Sequence, residues 1–196
     1  MNRMWKMFSG ETIFLSLILL IFVSNSCTQY EYSSPLPGIL EIRLKTISDT
    51  ARIKFSPLNN FVLKITAVEA VREDQARVSI YEDIKALGRT TSIYNTLDYR
   101  ARDSNLVIGQ GYVPPGNYIG VNLLIEPGSV AILDGYRRIP VVKSESFDAL
   151  LRFRRPFTVS ELNTTFINVA IDLDTSLVQG ADIYDFNPYY YISSIK

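Results

Sequence analysis

The sequence predicts an all-β protein, an antiparallel β-sandwich behind an export signal. Three observations carry this: apolar residues recur at a period of two over most of the chain, Pro-Gly pairs separate the runs, and no long stretch keeps helical spacing. Many short strands with Pro/Gly turns and almost no helix fit packed sheets. A domain of roughly 150 residues buries about 68 to 70% of its unfolded surface, so a single core suffices without disulfides.

Residues 1–26 read as a signal peptide. Arg3 and Lys6 make a short positive start, Ile13 to Val23 form an apolar run of 11 residues, and Ser24, Asn25 and Ser26 lead into Cys27. A membrane-spanning helix needs roughly 20 apolar residues, and Glu11 blocks extension of this run toward the N-terminus. Ser24-Asn25-Ser26-Cys27 resembles the lipobox of bacterial lipoproteins, in which the cysteine thiol becomes a thioether to diacylglycerol and the signal is cut just before it. Ser24 stands where that pattern usually has an aliphatic residue, with Val23 one position earlier. An uncleaved signal anchor and plain secretory cleavage that leaves Cys27 unmodified are the alternatives. Several acyl chains make such an attachment stable, because each buried methylene contributes roughly 0.8 kcal/mol and one chain alone is marginal.

Residues 27–37 then form the lipidated Cys and a flexible tether. The stretch from Thr28 to Pro37 is polar, carries Pro35 and Pro37, and spans roughly 30 Å if extended. The single β-sandwich domain is expected over residues 38–196. Leu40, Ile42 and Leu44 alternate with Glu41, Arg43 and Lys45; Phe61, Leu63 and Ile65 form the next row, then Val78 and Ile80. Ile119, Val121, Leu123 and Ile125 are expected to share one face against Tyr118, Gly120 and Asn122. Ile167, Val169, Ile171 and Leu173 do the same against Asn168, Asp172 and Asp174, and Tyr189 and Tyr191 end the chain in this manner. Pro37-Gly38, Pro115-Gly116 and Pro127-Gly128 suit type II turns. Short helical turns are expected over Glu82 to Leu87 and over Ser146 to Leu151.

Composition narrows function. The 196 residues hold 20 Lys and Arg, 20 Asp and Glu, one Cys and no His. No His-based nucleophile system, imidazole metal ligand, internal disulfide or thiolate zinc cluster is available. A neutral balance lacks the basic footprint of nucleic-acid binding. Without Arg3, Lys6 and Glu11 the mature chain carries 18 basic and 19 acidic groups.

Three stretches together resemble the bacterial family known as domain of unknown function 4382, found largely in exported lipoproteins. GILEIRLKT with FVLKITAVEAVRE is similar to its first hairpin, VPPGNYIGVNLLI to its Pro-Gly-x-Tyr turn and strand, and FINVAIDLDTSLV with DFNPYYYI to its closing strands. ISDTARIKFSPLNN replaces the polar, Asp-rich opening turn of that family. The resemblance implies a β-sandwich with the look of transthyretin-like or immunoglobulin-like domains, and no established activity.

Asp172 and Asp174, two apart on an expected strand, point to one face, near Asp182 and Asp185. Calcium takes clustered carboxylates, but a face paired with Arg152 and Arg154 explains the same residues, so no metal or other cofactor is assigned. Arg152, Arg154 and Arg155, with Arg137 and Arg138, are the only basic density and suit phosphate or carboxylate chemically. Tyr184, Phe186, Tyr189, Tyr190 and Tyr191, with Tyr30 and Tyr32 in the tether, divide between core packing and sugar stacking or interface anchoring, with core favoured for the C-terminal strand. Tyr118 is expected to act like a tyrosine corner, its hydroxyl tying down a connection. With no catalytic or cofactor-binding residue assigned, the expectation is a non-catalytic envelope protein, lipid-anchored through Cys27 in the outer membrane, that binds a protein or glycan at the cell surface. The alternative is a subunit or anchor of a pilus-like fibre assembled by strand donation.

Overall fold

Where the sequence alternates, the chain is extended. The computed structural model describes residues 34–49, 52–80, 92–133 and 137–196. The signal segment, Cys27, Tyr30, Tyr32 and the expected turn over Glu82 to Leu87 lie outside the described residues. Within them the strands are β1 (Gly38–Ile47), β2 (Val62–Arg72), β3 (Arg77–Ser79), β4 (Ser92–Asn95), β5 (Leu106–Val113), β6 (Gly116–Pro127), β7 (Val130–Leu133), β8 (Arg137–Lys143), β9 (Leu150–Val159), β10 (Thr164–Asp172), β11 (Leu177–Gln179), β12 (Tyr184–Phe186) and β13 (Tyr189–Ile195). Two helical turns interrupt them, α1 (Tyr99–Arg102) and α2 (Leu173–Ser176). The protein is all-β with antiparallel-rich sheets.

One sheet runs β13-β10-β1-β5, a second runs β3-β2-β6-β9, and a smaller third runs β11-β12-β8-β7. β3 and β4 share one edge of β2, β3 opposite Glu69 to Val71 and β4 opposite Val62 to Ile65. Leu40, Ile42 and Leu44 of β1 and Ile167, Val169 and Ile171 of β10 join Val121, Leu123, Leu151 and Phe153 of the second sheet in one hydrophobic core. Each such side chain, once buried, stabilises the fold by about 1.5 to 3 kcal/mol.

Not every pairing is antiparallel. β1 runs parallel to β10, from Ile39 opposite Thr164 to Ile47 opposite Asp172, and β12 runs parallel to β8. A parallel neighbour needs a long crossover, and β1 and β10 lie at opposite ends of the domain sequence. The stretch resembling a first hairpin is likewise not one. β1 belongs to the first sheet and β2 to the second, and the segment between them buries Ile53 and Phe55 as it crosses.

The rows are also re-aimed by β-bulges. Between Tyr118 and Gly120 the register shifts against β9, so Tyr118, opposite Phe157, is buried together with Val121 and Leu123, while Ile119 is only half-buried. The expected row headed by Ile119 therefore starts with Tyr118 instead. Residues Ser146 to Leu151 form no helical turn, because β9 begins at Leu150, whose amide donates to Asp148 Oδ1 at 2.8 Å. Of the three Pro-Gly pairs, only Gly116 holds a left-handed φ, +137°. Gly38 and Gly128 serve close approach instead, since a Cβ on Gly38 would collide with Val159 and the Ser160 carbonyl, and one on Gly128 with Val62.

Candidate functional site

The acidic pair is taken apart by local hydrogen bonding. β10 ends at Asp172, whose carboxylate accepts from the Asp174 and Thr175 amides at 3.0 and 3.2 Å and from the Thr175 hydroxyl, making it the N-cap of α2. Asp174 stands in the helical turn and takes the Asp49 amide and the Ser48 hydroxyl. The two carboxylates therefore do not share a strand face. Asp-Leu-Asp-Thr-Ser is a capping sequence as much as a strand pattern, and the cap wins because the chain turns there. Among the described residues no group of three or more Asp, Glu or Cys is placed to hold a metal ion.

Arg152 and Arg154 do not meet these carboxylates. They lie on β9, at the edge of the second sheet, whereas Asp172 ends β10 in the first. Arg152 donates to Asp148 at 2.6 Å, Arg154 to Asn122 Oδ1 at 3.1 Å, and Arg155 to the Ile192 carbonyl at 3.4 Å. The Leu150 amide, with Arg152 second, holds the Asp148 carboxyl below the usual carboxylate range. Arg137 and Arg138 open β8 in the third sheet. The expected basic density is thus divided among sheets, and its β9 members are engaged internally.

Tyr118 is a tied-down corner. Its ring is buried and stacks on Phe157 with centroids 5.1 Å apart, and its hydroxyl donates to the Pro114 carbonyl at 2.6 Å. Burial pushes its phenol up from the usual value. The C-terminal aromatics split by strand parity. Tyr184 and Phe186 are core, Phe186 edge-on to Phe61 at 5.3 Å. Tyr190 packs on Phe153 at 4.8 Å, and its hydroxyl accepts the Arg152 amide. Tyr189 and Tyr191 instead point outward, their rings 6.2 Å apart.

That outward face of the first sheet gathers residues the sequence did not bring together. Register places Tyr189 beside Asp172 and Tyr191 beside Ala170, which pairs with Lys45. Further along, Ser194, Asn168 and Arg43 form a row, then Phe166, Glu41 and Gln110, and finally Thr164, Ile39 and Tyr112. Tyr112, Tyr189 and Tyr191 are 74%, 54% and 40% exposed. The Arg43 guanidinium lies 4.4 Å from the Phe166 ring centroid and pairs with Glu41. Asn168 donates to Ser194 Oγ at 2.6 Å, while its Oδ1 is buried with no hydrogen-bond partner among the described residues. Asp103 is held below the usual carboxylate range chiefly by an Arg102 hydrogen bond, with Lys45 contributing.

Tyr112 escapes the period-two reading for a physical reason. In LVIGQGYV it has the parity of Leu106 and Ile108, which are buried. The register shift against Ile42 and Arg43 inserts Ile108 as an extra residue, so Gln110 and Tyr112 turn out to the surface. The available signal was the Gly109-Gln110-Gly111 sequence, since glycine inside a strand marks bulges.

Two recesses among the described residues are small or lack apolar walls. One of about 260 Å³ is lined by Arg52, Ile53, Asp174, Leu177, Gln179 and Tyr184, below the ~300 to 1,000 Å³ of ordinary small-molecule sites. Another, of about 330 Å³, is lined by Arg72, Glu73, Asp74 and Asn117. Among the described residues no helix is long and apolar enough to cross a membrane. No family model matches the chain, and neither does any curated protein or solved structure compared with it.

Proposed function

We propose that the chain is a non-catalytic lipoprotein of the bacterial cell envelope, anchored through diacylglycerol on Cys27, with the outer membrane as its site. The observation that carries this reading is the position of the only Cys, three small polar residues after an 11-residue apolar run and ahead of a polar tether. On this reading residues 38–196 are a β-sandwich with the look of transthyretin-like or immunoglobulin-like domains, related to the domain of unknown function 4382 family, and they bind a partner outside the membrane. The core shared by the first two sheets and the Tyr118 corner support it. Detergent-phase partitioning tests the anchor. Wild type should enter the detergent phase and Cys27→Ser the aqueous phase; equal retention of both would sink the proposal.

A second reading, a fibre subunit joined by strand donation, is favoured by β5. This strand of 8 residues ends the first sheet and carries neither charge nor Pro, whereas the edge strand β9 carries Arg152, Arg154, Arg155 and Pro156. Concentration-dependent filaments from the purified chain, lost in Gln110→Pro, would favour it over the monomeric binding module.

A further inference from the structure

We infer that the outward face of the sheet β13-β10-β1-β5 binds an extended, uncharged polysaccharide, with sugar rings stacking on Tyr112, Tyr189 and Tyr191. The inference deepens the reading of the chain as a binding module, on which it rests, by naming the class of ligand and the face that takes it. Three tyrosines that are 74%, 54% and 40% exposed share one face of one sheet. One of them reaches that face only because a bulge resets the parity of its strand: Tyr112 lies beyond the shift at Ile108, while Tyr189 and Tyr191 keep plain alternation opposite Asp172 and Ala170. Water over an exposed ring face gains few hydrogen bonds from it, so covering that face with another flat, partly apolar body is favourable.

Shape and charge choose among such bodies. With rows about 6.7 Å apart along a strand and strands about 4.8 Å apart, the line from Tyr189 to Tyr112 spans about 30 Å, the length of several sugar rings in an open chain. A protein partner is met by a contiguous apolar centre, whereas here the Tyr189–Tyr191 pair and Tyr112 stand at opposite ends of the face, separated by Lys45, the Arg43–Glu41 pair, Asn168 and Gln110. Those separators are polar groups rather than an aliphatic floor, and Arg43, Lys45 and Gln110 among them are half-buried rather than fully covered. The charges balance across this face: Arg43 pairs with Glu41, and Lys45 and Asp172 contribute one charge of each sign. A face with no net charge complements an uncharged chain and offers nothing to a nucleic acid or an acidic polymer.

The test is native affinity electrophoresis of the full-length protein in non-ionic detergent, through gels containing soluble β-glucan, mannan or xylan, with alginate as the anionic comparison. At least one neutral polymer should retard the wild type. Tyr189→Ala with Tyr191→Ala, and separately Tyr112→Ala, should each weaken that retardation about tenfold or more, while the three Tyr→Phe changes together should leave it within about threefold, because stacking needs the ring and not the hydroxyl. Melting curves of each variant establish that it is folded, and Tyr112→Ala alone suffices if the double variant is not. Cys27→Ser should be retarded like the wild type, so failure of the anchor and failure of glycan binding are read separately. Retardation by none of the neutral polymers, retardation by alginate alone, or retardation indifferent to both alanine variants would overturn the inference.

Discussion

Gly116 holds φ at +137° with nothing within 4 Å of where a Cβ would stand, so any cost of a side chain there comes from the backbone and not from a clash. Gly116→Val should therefore lower stability by about 1 to 3 kcal/mol, read as a shift in urea midpoint at unchanged slope; an unshifted midpoint would show that the turn can relax. Two residues on, Tyr118→Phe removes the hydroxyl's bond to Pro114 and should cost about 0.5 to 1.5 kcal/mol at neutral pH. Burial raises the Tyr118 phenol, so its neutral form is favoured in the folded state. That contribution is complete below the unfolded value near pH 10 and is lost as pH rises through the higher folded value. The stability gap between wild type and Tyr118→Phe should accordingly narrow above about pH 10, and a gap that widens would contradict the burial. The Pro-Gly-x-Tyr sequence made both residues legible, because φ preference and a nearby hydroxyl are local properties.

Elements were legible where the chain alternates without interruption, as in β1, and misread where one extra residue or a cap intervenes. Asp172 shows the second case. Period two continues through Leu173 in the sequence, yet the Asp172 carboxylate captures the amides of Asp174 and Thr175 and ends the strand. Asp172→Ala should cost about 0.5 to 2 kcal/mol as a lost N-cap, visible in thermal melting. Millimolar Ca²⁺ should leave the midpoint of both proteins where it is, since each carboxylate is already occupied by local donors. A shift of several degrees in wild type alone would mean that the cap is a metal ligand. The bulges at Ile108 and Ile119 escaped for a related reason: alternation reports which residues lie on one face only while the ladder stays in register.

At the scale of the whole molecule, which strands pair is set by contacts far apart in sequence. β1 has β5 on one side and β10 on the other, and nothing in its own residues names either partner. Its central place makes a prediction: backbone amides of β1 should be among the slowest to exchange, and those of the three-residue strands β3 and β11 much faster. Exchange from β1 as fast as from β3 would contradict the sheet order. The tyrosine face is a product of the same long-range pairing, because Tyr112 and Tyr191 are brought to one surface by β1 and β10 lying between their strands. The proposed anchor, by contrast, rests on a few adjacent residues, since a signal read by processing enzymes must be local. Intact-peptide mass spectrometry of the protein from membranes tests that central claim most directly. The mature chain should begin at Cys27, carrying the mass of diacylglycerol with or without an amide-linked acyl group; a peptide that runs unbroken from Ser26 through Cys27, or one that begins at an unmodified Cys27, would contradict it.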